Sequence, residues 1–182
     1  MELIDNKVKL LGDDLKKELE KGAKVRMVAS YFSIYAFEAL KEELSSVSEL
    51  QFIFPNPTFV QEGIKDKIRK ETREYFIPKP LRESSLYGTE FEIRLRNQLT
   101  QKVIAKECAE WIREKVKFKS NITDGELQNF IYVENTDHKV IYTPIRGFTS
   151  VDLGYEKNNM IYQGIMKNDE ESYGKYFLNQ LR

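Results

Sequence analysis

One cysteine, Cys108, and one histidine, His138, stand in a chain of 182 residues. The first excludes a disulfide framework and every multi-cysteine zinc or iron–sulfur centre. The second excludes any site within one chain that needs two imidazoles. Net charge is missing as well, 29 basic residues being matched by 29 acidic ones, so global charge predicts no polyanionic partner. No stretch approaches the roughly 18–20 consecutive apolar residues of a membrane-spanning helix. The opening Met-Glu-Leu-Ile-Asp lacks the basic start and apolar run of a signal peptide. Together these absences predict a cytoplasmic protein with no membrane partner. Walker loops, Rossmann glycine patterns, Gly-x-Ser-x-Gly elbows and His-Glu-x-x-His helices are also lacking, and no cofactor or metal is expected.

What is present is ample material for a core. Hydrophobic residues make up 41% and aromatics 12%, too much for a disordered chain, and the length fits one domain spanning 1–182. Asp13 to Lys21 reads as a short charged helix closed by Gly22. Val25 to Phe32 is an apolar run of strand length. Ser33 then caps a helix with Ile34, Phe37, Leu40 and Leu44 at helical spacing. Glu49 to Phe54 follows as a second buried strand, closed by Pro55-Asn56-Pro57. Strand, helix, strand over some thirty residues is a βαβ unit.

Further along, a helix to about Tyr75 gives way to a loop at Pro78 and Pro80. Thr89-Glu90-Phe91-Glu92 matches a capping box. It opens a long helix with Leu95, Leu99, Val103, Cys108, Trp111, Ile112 and Val116 spaced along it down to Phe118. Cys108 on that apolar stripe reads as a small buried hydrophobe. Leu127–Val133 and Lys139–Tyr142 flank a turn-rich link and predict a hairpin. Thr149 and Ser150 are candidate helix caps, Gly154 a stop, and 160–166 a last strand. Residues 172–182 form an amphipathic helical pattern that ends without glycine, proline or polar tail, which predicts that the natural chain continues. The expected class is α/β, a mixed, largely parallel sheet with helices on both faces.

Zero net charge conceals a division. Residues 61–119 carry 15 basic and 10 acidic side chains, whereas 1–60 carry 8 and 10, and 120–182 carry 6 and 9. Lys67, Lys70 and Arg73 in the middle block are candidate phosphate contacts. The competing reading is a solvated helix face laced with i,i+4 pairs such as Lys67–Glu71. His138 beside Asp137 invites a dyad, but adjacent residues of an extended chain point to opposite faces. A surface histidine at a hairpin is the simpler reading.

Several segments resemble a known family. VRMVASYFSIYAFEALKEEL followed by ELQFIFPNPTF is similar to the opening βαβ of phospholipase D-like domains at the N-termini of superfamily II helicases and in related restriction nucleases. LQNFIYVEN, a turn, then HKVIYTPIRGFTSVDLG resembles the segment that holds their His-x-Lys-x4-Asp motif and the following Gly-Ser-x-Asn-Phe-Thr-like turn. The resemblance covers about 25–166. It places Gln128 at the motif histidine, Phe130 at the lysine, Asn135 at the aspartate and Gly147 at the asparagine. Arg146 is then the basic residue left beside the former site.

An amide is no nucleophile, and a phenyl ring cannot neutralise a phosphate. The resemblance therefore implies a catalytically silent module of a larger helicase or restriction protein. Its partners would be nucleic acid, the rest of the motor chain or a second copy of itself, and any ATP-dependent activity would belong to the rest of that protein. The alternative is a metal-independent phosphodiesterase or nuclease with a noncanonical site at His138.

Overall fold

The computed structural model describes residues 1–55, 90–121, 125–156 and 164–181. Its elements in chain order are β1 (Glu2–Ile4), α1 (Leu11–Glu18), β2 (Lys24–Val28), α2 (Ile34–Ala39), α3 (Lys41–Ser46) and β3 (Glu49–Phe54). They continue with α4 (Glu90–Lys115), β4 (Val116–Ser120), β5 (Phe130–Glu134), β6 (Lys139–Thr143), β7 (Ile165–Asn168) and α5 (Glu171–Asn179). One seven-stranded sheet runs in the order β1-β7-β6-β5-β2-β3-β4. The α/β class and the mixed sheet agree with expectation.

The parallel share is smaller than expected. Among the described strands, β2–β3 and β3–β4 pair in parallel and the other four pairings are antiparallel. A four-residue link between β5 and β6 forces reversal, whereas a helical crossover permits parallel pairing. β5 then lies beside β2, Val28 opposite Phe130, which couples the hairpin to the opening βαβ unit.

Both faces of the sheet are covered, because successive strand residues point to opposite sides. Val25, Met27, Leu50, Phe52, Ile131, Val133, Val140 and Tyr142 build the larger core with Leu11 and Leu15 of α1, Phe37 of α2 and Cys108 and Trp111 of α4. Val28, Ile53, Phe130, Tyr132 and Ile141 meet Phe177 of α5 on the other side. Trp111 donates its indole N–H to the Leu44 carbonyl at 3.0 Å, satisfying the one polar group of a buried aromatic. Cys108 is buried as expected, and burial pushes its thiol up to about 11.

Several boundaries moved for identifiable reasons. The long helix stops at Lys115, and Val116–Ser120 becomes a strand parallel to β3. There Val116 and Phe118 face the larger core while Lys117 and Lys119 are exposed, an alternation of period two that a helix cannot use. Val103, placed on the helix's apolar stripe, is 56% exposed, and Ile104 is buried instead. The first helix runs 11–18, with Gly22 in the turn beyond it at φ +86°. The helix after Ser33 is two short ones, broken at Leu40.

β2 ends at Val28. Ala29 still donates to Ile53, and from Ser30 onward the chain bonds to the segment after β6, with Phe32 bridged to Phe148. Thr149 and Ser150 start a turn rather than a helix, closed by Gly154 at φ +84°. The last strand is 165–168, and the expected start at 160 lies outside the described residues. β1 was not anticipated from sequence, being only three residues long. Among the described residues no helix is long and apolar enough to cross a membrane.

Candidate functional site

Open α/β sheets bind ligands outside the carboxyl ends of their parallel strands. Here that edge carries an open cleft of about 600 Å³. Ser30 follows β2, Pro55 follows β3, Gln128 and Asn129 precede the antiparallel β5, and Thr143 ends β6. All five line the cleft, because the β2–β5 and β5–β6 registers bring those strand ends together. Leu127, Tyr173 and Phe177 close one side, with the Tyr173 and Phe177 rings edge-to-face at 5.2 Å.

The rim is tied by weak polar bonds. Asn129 Nδ2 donates to Ser30 Oγ and to the Arg146 carbonyl, both at 3.3 Å. Ser30 N–H donates to the same carbonyl at 3.1 Å, and Thr143 Oγ1 to the Asn129 carbonyl at 3.3 Å. Gly147 holds the segment beyond Arg146 close to Tyr31. A Cβ there would stand 2.8 Å from Asp152 Oδ2 and 3.0 Å from Tyr31 Cβ.

The three motif positions do not meet in one place. Gln128 is exposed at the cleft, and its backbone N–H reaches Gln180 Oε1 only at 3.5 Å. Phe130 is fully buried, its ring 5.2 Å from that of Phe177. Gln128 lines the cleft, whereas Phe130 lies beneath α5 and does not. Asn135 sits past the far end of β5, on the order of 20 Å of extended chain from Gln128. Arg146 is exposed next to the cleft. Lys67, Lys70 and Arg73 lie outside the described residues.

At the opposite edge, Asn135 and His138 join a cluster that the sequence reading missed. α1 places Leu11, Asp14, Leu15 and Glu18 on one face by helical spacing, and that face packs against the sheet. Asp14, 3% exposed, accepts from Tyr142 Oη at 2.7 Å and pairs with Lys167 at 2.6 Å and Lys9 at 2.8 Å. Burial opposes the Asp14 charge, but the two ammonium groups and the phenol outweigh it and hold the carboxyl down at about 2. The same contact and burial push the Tyr142 phenol up.

Lys167 bridges on to Glu18 Oε1 at 2.6 Å, and Glu18 Oε2 lies 2.7 Å from His138 Nε2. Asn135 Nδ2 donates to the Glu18 carbonyl at 2.8 Å and sits 3.2 Å from the same imidazole nitrogen. Asp137 takes no part, as expected. It is α1 that orients His138, a partner 120 positions away in sequence. The visible signal was two acids, Asp14 and Glu18, interleaved at i,i+4 with buried leucines.

Among the described residues no group of three or more His, Cys, Asp and Glu side chains could hold a metal ion. The cleft is lined by amides, hydroxyls and apolar groups with one carboxylate, Glu126. Such a surface holds ligands by hydrogen bonding and contact, and among its lining side chains none is a cysteine, histidine or lysine. No protein-family model matches this chain, and no curated protein is significantly similar to it.

Proposed function

We propose that this chain is a catalytically silent, phospholipase D-like module of a superfamily II helicase or restriction protein. It binds nucleic acid, recruits the motor, or pairs with a second copy. The observation that carries the reading is the cleft at the carboxyl edge with Gln128 at its mouth. The resemblance expects a nucleophilic histidine at that position, and an amide stands there instead. The position expected to hold a cationic clamp is Phe130, buried beneath α5. Losing the nucleophile removes covalent catalysis, and losing the cation removes stabilisation of the charged transition state.

Binding is expected to be weak and salt-sensitive, with Lys67, Lys70, Arg73 and Arg146 as phosphate contacts. Each phosphate neutralised on duplex DNA steepens the log–log salt dependence by about 0.9. Fluorescence anisotropy with labelled single- and double-stranded oligonucleotides tests this. Charge reversal of Lys67, Lys70 and Arg73 together should abolish binding, and absence of wild-type binding at low salt would end the reading.

A second reading is favoured by one observation, the 2.7 Å contact between His138 and Glu18. A carboxylate on one ring nitrogen orients an imidazole for general-base or nucleophilic work at the other. Lys167, the cation that shares Glu18 with His138, is engaged by both Asp14 and Glu18, which argues for a structural role. Hydrolysis of bis-p-nitrophenyl phosphate by wild type, lost in both His138→Ala and Glu18→Gln, would promote this reading over the silent module. No turnover is the expected result.

A further inference from the structure

The sheet face beneath α5 holds a separate cavity of about 290 Å³. Arg26 of β2 and Tyr132 of β5 form part of its wall. They are cross-strand partners in the antiparallel β2–β5 register, so their side chains leave the sheet side by side on one face. Tyr132 is 3% exposed and Arg26 half-buried. Neither the phenol hydroxyl nor the guanidinium has a hydrogen-bond or ion-pair partner among the described residues, and both reach solvent through the cavity. A charge partly withdrawn from water is unfavourable unless something compensates it.

The other charges around the cavity are compensated pairwise. Lys139 meets Glu134 at 3.2 Å, and Lys175 meets Glu171 at 2.9 Å. Glu170 also lines the cavity; it is exposed at the rim, and its carboxylate has no cation among the described residues. What remains is one guanidinium with a phenol beside it, and one exposed carboxylate in the same lining. With the two ion pairs cancelling, the wall keeps one cation and one anion, a balance that does not favour a polyanion such as phosphate. A ligand with a single carboxylate and a single ammonium satisfies both unpaired charges. Ile141 and Leu178 supply an apolar wall for an aliphatic part, and the volume lies at the small end of ligand sites, about 300 Å³ and upward.

We propose that this cavity binds a small zwitterion of the α-amino-acid type. Its carboxylate is received by the Arg26 guanidinium and the Tyr132 hydroxyl, and its ammonium faces Glu170. The inference does not depend on the nuclease-like reading, since the cavity shares no lining residue with the carboxyl-edge cleft.

The test is calorimetric titration and thermal shift of the full chain with L-leucine, L-glutamate and L-lysine separately. Acetate, methylamine and inorganic phosphate serve as single-sign controls. At least one amino acid should bind while none of the controls does so comparably. Arg26→Gln and Tyr132→Phe should each weaken that binding by about tenfold or more, the loss expected for a hydrogen bond to a charged group. Tyr132→Phe removes a single oxygen, so it carries the test if the arginine variant fails to fold. No binding by any of the three amino acids, equal binding of acetate or phosphate, or unchanged affinity in Tyr132→Phe would each overturn the assignment.

Discussion

The two edges of the sheet spend their polar groups in opposite ways. At the edge near α1, Glu2, Lys9, Asp14, Lys167, Glu18 and His138 are joined in one chain of contacts, with Tyr142 and Asn135 attached. At the carboxyl edge, the side-chain bonds are few and long, 3.3 Å each among Asn129, Ser30 and Thr143, around an open cleft. A closed network satisfies its members and holds elements together. A loosely tied rim leaves donors and acceptors for something else. The presence of charge is therefore a poor guide to function in this chain; what separates the regions is whether the polar groups are already satisfied.

Removing the centre of the closed network should produce the largest effect. Asp14→Ala leaves Lys9, Lys167 and the Tyr142 hydroxyl facing a void, and should lower unfolding free energy by about 3 kcal/mol in urea titration. A loss below about 1 kcal/mol would mean that water replaces the carboxylate and that this edge is as open as the other. The same group sets the acid limit. With the folded carboxyl at about 2 against an ordinary 3.8, the Asp14 contribution is complete above the unfolded value. It is lost as pH falls from there through about 2, because over that range the unfolded chain binds more protons. Asp14→Asn should flatten the acid limb of stability against pH; an unchanged limb would assign acid sensitivity to other carboxylates.

At the carboxyl edge, backbone approach is the vulnerable feature. Gly147→Ala puts a methyl 2.8 Å from Asp152 Oδ2 and 3.0 Å from Tyr31 Cβ. Asp152 Oδ2 is fixed by the Thr149 hydroxyl and Tyr31 Cβ by its backbone, so the segment carrying Arg146 must shift. The expected loss is about 1–3 kcal/mol, read by thermal unfolding, with reduced oligonucleotide binding if the rim forms the contact surface. Neutral stability would show that the turn at 147–150 has room to relax.

Sequence periodicity was informative where burial is two-sided. Val25, Met27 and Val28, Leu50 to Ile53, and the hairpin strands were legible because a central strand must be apolar on both faces. Periodicity misled at 116–120, where an apolar residue every second position continued a helix stripe closely enough to hide the change of period. It also could not decide parallel from antiparallel pairing at β5, since that depends on which existing strand the hairpin joins. Gln128 was legible as a cleft residue only by analogy of position. The Glu18–His138 contact was invisible, because a pair 120 residues apart leaves no local pattern, although Asp14 and Glu18 on a leucine face did announce that α1 buries charge. The Arg26–Tyr132 pair was equally hidden until the register of β2 and β5 placed them opposite one another.

The smallest stability effect should come from Gln128→Ala, and it bears most directly on the contrast between the edges. Gln128 is exposed, and its side chain has no hydrogen bond among the described residues. Truncating it therefore leaves no buried group unsatisfied, and the change in unfolding free energy should stay within about 0.5 kcal/mol. If the cleft is a binding surface, oligonucleotide affinity should nevertheless fall, because a lost hydrogen bond to ligand is worth about 1 kcal/mol, several-fold in Kd. Asn129→Ala is the informative companion. It removes the rim bonds to Ser30 and Arg146 as well, so it should cost more stability and as much affinity. A Gln128→Ala protein that loses stability but binds unchanged would reverse the assignment, making position 128 part of the architecture and moving the ligand surface elsewhere.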